Sequence, residues 1–540
     1  MKTYNIIAIG GTGMRCAESL VHLCAMGMFD DTEINLLALD TDLKNGNFDR
    51  LEQLIHKYNI ITADRDGVAS DTLFSAKINY FKFVPNYEDG CNFVKIANYT
   101  NAQTTVHDEN GVKWKDVNYF AVYGKYREGK TIAKTKDGLT PEMRNMNLHH
   151  GYRAQTQMGS MLMYYAIKEE ALNNRLKGSP LVRFVENLMT TPGSIVFMFG
   201  SVFGGTGASS IPILPHALQE AAKIISEKGQ GDILSKNYFG TVMLTNYFSF
   251  DAPNVTTNEV VATSDKFALN SQAALSFYNE DETVNSTYKR LYLIGRDRPR
   301  NVSRKDAESV TGGSAQCNPV DYIELAAASA AYDFFHWIQE KTAKLQTDKN
   351  LNASKAETIF RTISSNEEDC LSFESFFGAD KDKFAQKCGI MMASAFLFGP
   401  QDFANNRRNH KSFSALTEEN VKAIREFFGC FYDLEGNSET EQHSGWIKQM
   451  QESAIEQGYQ GFLFNQAAFS TTPKKAVSFK YNNQLFPENS AYHFKIGMLS
   501  SAYDTFKNEF GDTVFKESDK TAVSALLKRT YETFTKLYGF

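Results

Sequence analysis

Residues Gly200-Ser-Val-Phe-Gly-Gly-Thr-Gly-Ala-Ser-Ser210 form a run suited to close approach by an anion. They follow the apolar stretch Ser194-Ile-Val-Phe-Met-Phe199 and lead into Ile211-Pro-Ile-Leu-Pro-His-Ala-Leu218. A strand that ends in Gly204, Gly205 and Gly207 and opens into a helix presents backbone N–H groups at the positive end of the helix dipole. No side chain stands in front of them, so a polyphosphate can be held there. Thr206 adds a hydroxyl that can reach a phosphate oxygen, and Ala208 continues the run. The plain alternative is a tight strand-to-helix turn without a ligand, and a glycine motif this short admits both readings.

A second glycine loop lies at the start of the chain. Tyr4-Asn-Ile-Ile-Ala-Ile9 reads as a buried strand, and Gly10, Gly11, Thr12 and Gly13 follow it. Ala17, Leu20, Val21, Leu23 and Cys24 then recur at helical spacing. Ile34-Asn-Leu-Leu-Ala-Leu39 is a second buried strand, with Asp40-Thr41-Asp42 at its tip. This strand–helix–strand unit matches a dinucleotide-binding Rossmann unit, whose acid some ~20 residues past the glycines binds a ribose hydroxyl. On that reading Asp40 binds the adenosine ribose of NAD and the chain is an NAD-dependent oxidoreductase. However, Cys16 stands at the last glycine position when Gly11 and Gly13 are aligned, and the loop Gly204–Gly207 has no part in the scheme.

Taken together and in this order, the two loops resemble the tubulin/FtsZ superfamily. Gly10, Gly11, Thr12, Gly13, Met14 and Arg15 match its first nucleotide loop, and Asp40, Thr41 and Asp42 its acidic strand tip. Gly204-Gly-Thr-Gly-Ala208 matches the signature loop, with Phe203 in place of the first signature glycine. Gly240-Thr-Val-Met-Leu-Thr-Asn-Tyr-Phe-Ser-Phe-Asp251 is similar to a later family strand, with Tyr247 at the proline position. Arg153-Ala-Gln-Thr-Gln-Met-Gly159 is similar to the third loop, with Arg153 and Gln155 as contact residues. The resemblance covers residues 1–340, with a large insertion at 60–150.

The resemblance implies a Rossmann-type parallel sheet flanked by helices, a long central helix at 318–340, a linker at 341–370 and a mixed α+β domain at 371–540. The central helix would start at Asn318 as N-cap, with Pro319 at the first helical position, where its missing N–H costs nothing. Asp321 is then expected to accept from the guanine edge and Tyr322 to stack on the base. Asp321 could equally serve only to complement the helix dipole. The implied ligands are GTP or GDP with Mg2+ on the phosphates; the implied partner is a second copy of the chain in a longitudinal filament or oligomer, with the C-terminal domain open to a further partner protein. In the family, an acid from the neighbouring subunit orients the hydrolytic water, and its Asn-x-Asp-x-x-Asp/Glu pattern is not found here. Glu367, Glu368 and Asp369 follow the central helix at a different spacing. The residues therefore favour nucleotide binding over hydrolysis and leave a non-hydrolysing nucleotide-gated scaffold open.

Composition sets the outer bounds. The 540 residues suffice for two or more domains, and 42% apolar with 22% charged residues is ordinary for a globular chain. The net charge of −6 gives no electrostatic support for general nucleic-acid binding. Seven cysteines without a C-x-x-C pair indicate free thiols in a reducing compartment, and the ten histidines form no metal-ligand pattern. No apolar run reaches the ~20 residues of a membrane span, and the first strand leaves no room for a signal peptide. The expected location is cytoplasmic. The 41 phenylalanines point to a packed core. Helical patterns recur at Lys383–Phe398, Glu418–Phe431 and Lys520–Tyr538, and Ala476–Tyr481 reads as a strand. Gly124-Lys-Tyr-Arg-Glu-Gly-Lys-Thr131 spells a Walker A string. The alternating, glycine-limited segment behind it reads as a hairpin, without the helix that a phosphate loop needs.

Overall fold

The computed structural model describes residues 2–42, 45–65, 67–85, 152, 154, 156–174, 176–191, 193–226, 231–251, 263–296, 298–302, 316, 318–347, 357–363, 377–399, 416–432, 445–456, 509–510 and 522–538. The chain begins with β1 (Lys2–Ile9), α1 (Gly10–Ala25), β2 (Thr32–Leu39), α2 (Gly46–Thr62) and β3 (Lys77–Phe83). Next come α3 (Thr156–Asn174), α4 (Pro180–Thr190), β4 (Ile195–Ser201), α5 (Gly205–Ser210), α6 (Leu214–Ile225) and β5 (Tyr238–Leu244). They are followed by β6 (Phe248–Ser249), α7 (Phe267–Glu280), α8 (Glu282–Thr287), β7 (Tyr288–Arg296), β8 (Arg300–Asn301), α9 (Tyr322–Thr347) and β9 (Glu357–Ile363). The remaining described helices are α10 (Lys381–Phe398), α11 (Glu418–Phe431), α12 (Trp446–Ile455) and α13 (Ala522–Tyr538).

Seven strands form one parallel sheet in the order β3-β2-β1-β4-β5-β7-β9. The central strands are continuous apolar runs because both faces are covered, as expected for a parallel sheet between helices. Alternate residues serve the two sides. Ile6, Ala8, Leu36, Phe197 and Phe199 join one core with α1, α2 and α9, whereas Ile7, Ile9, Leu37, Val196 and Met198 join the other with α3, α4 and α6. The α/β Rossmann-type architecture is thus present. Among the described residues no helix is long and apolar enough to cross a membrane.

Three boundaries differ from expectation. Part of the segment assigned to the 60–150 insertion belongs to the sheet: α2 runs to Thr62, and Lys77–Phe83 is β3, in register with β2 from Glu33 to Leu39. The segment 341–370, polar enough to read as a linker, instead carries the end of α9 and the edge strand β9. Its partners lie on β7, 67 residues earlier at the Arg290–Glu357 pair, so local composition carried no trace of the pairing. The described C-terminal helices also share a core with the N-terminal half. Phe384, Phe427, Phe428, Trp446 and Leu526 lie in the same apolar cluster as α1 and α2. Trp446 donates to Ser19 Oγ at 3.1 Å, and Asp64 caps α13 through the N–H groups of Val523 and Ser524, both at 3.1 Å. The expected strand at 476–481 and the Walker-like string lie outside the described residues.

Candidate functional site

The sheet order reverses between β1 and β4, and both strands run straight into glycine loops at their carboxyl ends. Open α/β sheets bind ligands at such a switch point, because adjacent connections leave to opposite faces and open a crevice. Here α1 starts at Gly10 with no side-chain cap and no acid in its first turn, and α5 starts at Gly205 in the same way. Helix starts leave backbone N–H groups without intrahelical acceptors, and two such starts side by side concentrate donors and positive potential.

The glycines divide by role. Gly10 has φ +68°, a left-handed conformation that favours glycine, and a Cβ there would lie 3.3 Å from Thr206 Cβ. Gly13 and Gly207 are needed for packing. A Cβ on Gly13 would sit 2.6 Å from the Phe199 carbonyl oxygen, and one on Gly207 would sit 2.5 Å from that of Ser201. These contacts let α1 and α5 press onto the sheet. A Cβ on Gly204 would meet Ser201 Oγ alone, at 3.1 Å, a small side-chain end that must give by a few tenths of an ångström. Gly11 faces the amides of Asn47 and Asn45, at 2.9 and 3.1 Å from a built Cβ. Met14 and Ala208 are buried packing residues.

Asp40 ties the two loops together. Its Oδ1 accepts from the Thr41 backbone N–H at 2.7 Å and from the Thr206 hydroxyl at 3.1 Å, and its Oδ2 accepts from Asn45 Nδ2 at 2.6 Å. Burial, with the nearby Asp42 carboxylate adding to it, pushes the Asp40 carboxyl up to about 6. Both oxygens are engaged inside the chain, so Asp40 is not the open ribose acceptor that the NAD reading requires. Thr206 is likewise spent on Asp40 and on Thr41, whose hydroxyl lies 3.4 Å away, rather than held out for a phosphate. Asn45 caps α2 by accepting from Asn47 N at 2.9 Å. Buried Asn47, whose Nδ2 is the atom nearest Gly11, keeps its Oδ1 without a hydrogen-bond partner among the described residues. An orphaned buried acceptor in this loop cluster is open to a donor from a ligand hydroxyl or a bound water.

Arg15 does not face this cradle. Its buried guanidinium reaches across to α9, where Nε donates to Glu324 Oε1 at 2.6 Å and Nη2 pairs with the same oxygen. Its Nη1 and Nη2 also donate to the carbonyls of Asn318 and Pro319, at 2.6 and 2.5 Å. Burial raises the Glu324 carboxyl above its ordinary range against the pull of Arg15, whose guanidinium stays charged. Tyr247 adds its hydroxyl to Glu324 at 2.9 Å. Phe203 and Tyr247 also meet: Phe203 packs against Phe267, Phe248 and Tyr247, with ring centroids 4.7, 5.5 and 6.1 Å apart.

The start of the central helix is also corrected. It begins at Tyr322, and Asp321 rather than Asn318 caps it: Asp321 Oδ1 accepts from Ile323 N, and Glu324 Oε2 accepts from Asp321 N, both at 3.1 Å. Asp-x-x-Glu is a reciprocal capping box, whereas the Asn318 and Pro319 carbonyls are drawn off by Arg15. The other carboxylate oxygen of Asp321 pairs with Arg296 Nη1 at 2.8 Å. Its acceptors are thus engaged within the chain, and the ring of Tyr322 is fully buried in the core. This arrangement offers neither residue to a base. Sequence reasoning missed Asn45, Asn47, Glu324 and Arg296. Only Asp321-x-x-Glu324 carried a local signal, the capping-box spacing. Arg153, Gln155, Glu367, Glu368 and Asp369 lie outside the described residues.

A separate cavity of about 580 Å³, lined by Asp30, Asp71, Lys383, Lys387 and Tyr531 among others, opens at the amino ends of the strands. There Lys387 is bonded to the Gly27 carbonyl and lies 3.4 Å from Asp30, and neither of the glycine loops at Gly10 and Gly204 lines it. The carboxyl-end crevice is the better candidate. Comparison with protein-family models and with curated proteins finds no match to this chain.

Proposed function

We propose that the chain binds a guanine nucleotide at the paired glycine loops, with Mg2+ carried on the phosphates, and that the bound nucleotide governs self-association into filaments or oligomers. One observation carries the binding half. Two uncapped helix starts, at Gly10 and Gly205, sit side by side at the switch point of a parallel sheet. Gly204 puts no side chain in front of its loop, and Asn47, whose side-chain amide lies against Gly11, keeps an unpartnered buried Oδ1 among the described residues. The choice of guanine and the assembly half rest on the resemblance to the tubulin/FtsZ superfamily. In this reading Gly11, Thr12, Gly204 and Gly205 supply backbone donors, while Asp40 holds the two loops at a set distance. Contact-stimulated hydrolysis is the extension of the same proposal, with Glu367, Glu368 and Asp369 as the acids to test.

The decisive experiment is to identify the nucleotide released from purified, denatured protein, and then to titrate the emptied protein with GTP, ATP and NAD by calorimetry. Preference for GTP or GDP is expected. Tight NAD binding without affinity for guanine nucleotides would overturn the assignment in favour of a dinucleotide enzyme.

A further inference from the structure

Arg296 ends β7 at the carboxyl edge of the sheet, and its side chain is completely buried. Its Nη1 is used twice, on Asp321 Oδ2 at 2.8 Å and on the Tyr247 carbonyl at 3.2 Å. Nε and Nη2 have no hydrogen-bond partner among the described residues. These two nitrogens form one edge of the guanidinium, a fork of two parallel N–H donors. Buried donors without acceptors are costly, and a native structure that keeps a pair of them calls for a ligand or bound water that completes them.

The fork defines its partner. Two parallel donors require two adjacent acceptors, as on a carboxylate, a phosphate or the O6/N7 edge of guanine. Charge separates these options. Arg15 and Arg296 already face Glu324 and Asp321 in one connected cluster, two cations against two anions. A further buried anion would leave that cluster unbalanced, whereas a neutral two-acceptor edge satisfies the donors without adding charge. Adenine presents one acceptor and one donor on the same edge, so one N–H of the fork would meet another N–H. The position also suits a base. β7 lies two strands beyond β4, about 10 Å at normal strand spacing, so a nucleotide with its phosphates at the glycine loops extends towards it.

We infer that Arg296 reads the O6/N7 edge of guanine through Nε and Nη2, and is the specificity residue that Asp321, closed by its own cap and ion pair, is not. This inference rests on the nucleotide reading above and deepens it.

The first arm of the test uses the native full-length protein with GTP, ITP, 7-deaza-GTP, ATP and tripolyphosphate as probes, so that the base-reading role is decided without a variant, and a second arm repeats the titrations on Arg296→Lys. ITP keeps O6 and N7 and should bind within ~3-fold of GTP. 7-Deaza-GTP lacks the N7 acceptor and should bind at least ~10-fold more weakly, a difference of the size bidentate base contacts supply. Arg296→Lys keeps a cation for Asp321 but removes the fork, so GTP and 7-deaza-GTP should become equivalent. Native protein that binds GTP and 7-deaza-GTP equally overturns the base-reading role while leaving nucleotide binding intact. Tripolyphosphate binding that is lost in Arg296→Lys makes the fork a phosphate clamp and also overturns it. Absence of binding by every guanine nucleotide overturns both proposals together.

Discussion

Gly204 and Asp40 show how single residues in the two loops separate binding from folding. Gly204 has φ −91° and ψ 174°, which any residue adopts, and a Cβ there would press only on Ser201 Oγ, at 3.1 Å, a side-chain end that can shift. Gly204→Val should therefore fold normally and lose at least ~10-fold in nucleotide affinity, about 1.4 kcal/mol. Calorimetry together with an unchanged thermal midpoint checks this, and full affinity in the folded variant would reduce the loop to a turn. Asp40 carries a pH signature. Its carboxyl stands at about 6 in the fold against an ordinary value of 3.8, so between these values the folded state holds a proton that the unfolded state has released. Stability from this group falls as pH rises through that window, by about 3 kcal/mol in total. Asp40→Asn should abolish this slope in denaturant midpoints measured from pH 4 to 6.5. An unchanged slope would mean that the carboxyl is not the group responsible.

At the scale of elements, the junction of α1 with α9 depends on the buried Arg15–Glu324 pair, whose partners are 309 residues apart. Arg15→Met leaves a buried carboxylate facing two carbonyls and should cost about 3–5 kcal/mol. Adding Glu324→Gln removes the stranded charge and should recover part of that loss. A single-variant loss below ~1 kcal/mol would show that the pair is dispensable. The outer face of α1 makes a different junction. There His22 stacks on Trp446 of α12, with centroids 4.6 Å apart, and lies near Phe427 and Phe431 of α11. Neither of its ring nitrogens has a hydrogen-bond partner among the described residues. Burial, helped by Arg50, lowers its pKa well below 6.5. The unfolded chain binds this proton first, so stability present above pH 6.5 is lost as pH falls below it. His22→Phe should keep the stacking and flatten that acid loss, as followed by urea midpoints from pH 7.5 to 5. A profile as steep as the native one would assign the acid loss elsewhere.

At the scale of the whole molecule, the proposed assembly predicts cooperative behaviour. Sedimentation and phosphate release measured on the same samples, with GTP and with a non-hydrolysable analogue, should show pelleting that depends on nucleotide and a critical concentration. Any turnover should rise more than linearly with protein concentration. Constant release per molecule and no pellet with either nucleotide would leave a monomeric nucleotide-binding protein. Neutralising Glu367, Glu368 and Asp369 together should slow release without weakening binding if these acids complete a neighbour's site.

Much of this architecture was written locally. The buried strands β1, β2 and β4, the glycines at their ends and helices such as Glu418–Phe431 follow from apolar periodicity and from residues without a Cβ, which act within a few positions. The sequence by itself therefore determined a parallel α/β chain with a glycine loop at the carboxyl end of β1 and another at that of β4. It did not determine what the polar residues of those loops would face, because such partners are chosen across the fold. Asp40 bonds to Thr206 from 166 residues away, and Asp321 closes on Arg296 rather than on a ligand. β9 took its place in the sheet because β7 offered an open edge, although its polar surroundings read as a linker. Only the tertiary structure could decide these matters. A buried charge or strand edge must be satisfied by whatever the packed chain brings beside it, and in the sheet that neighbour is set by strand order, not by distance along the chain.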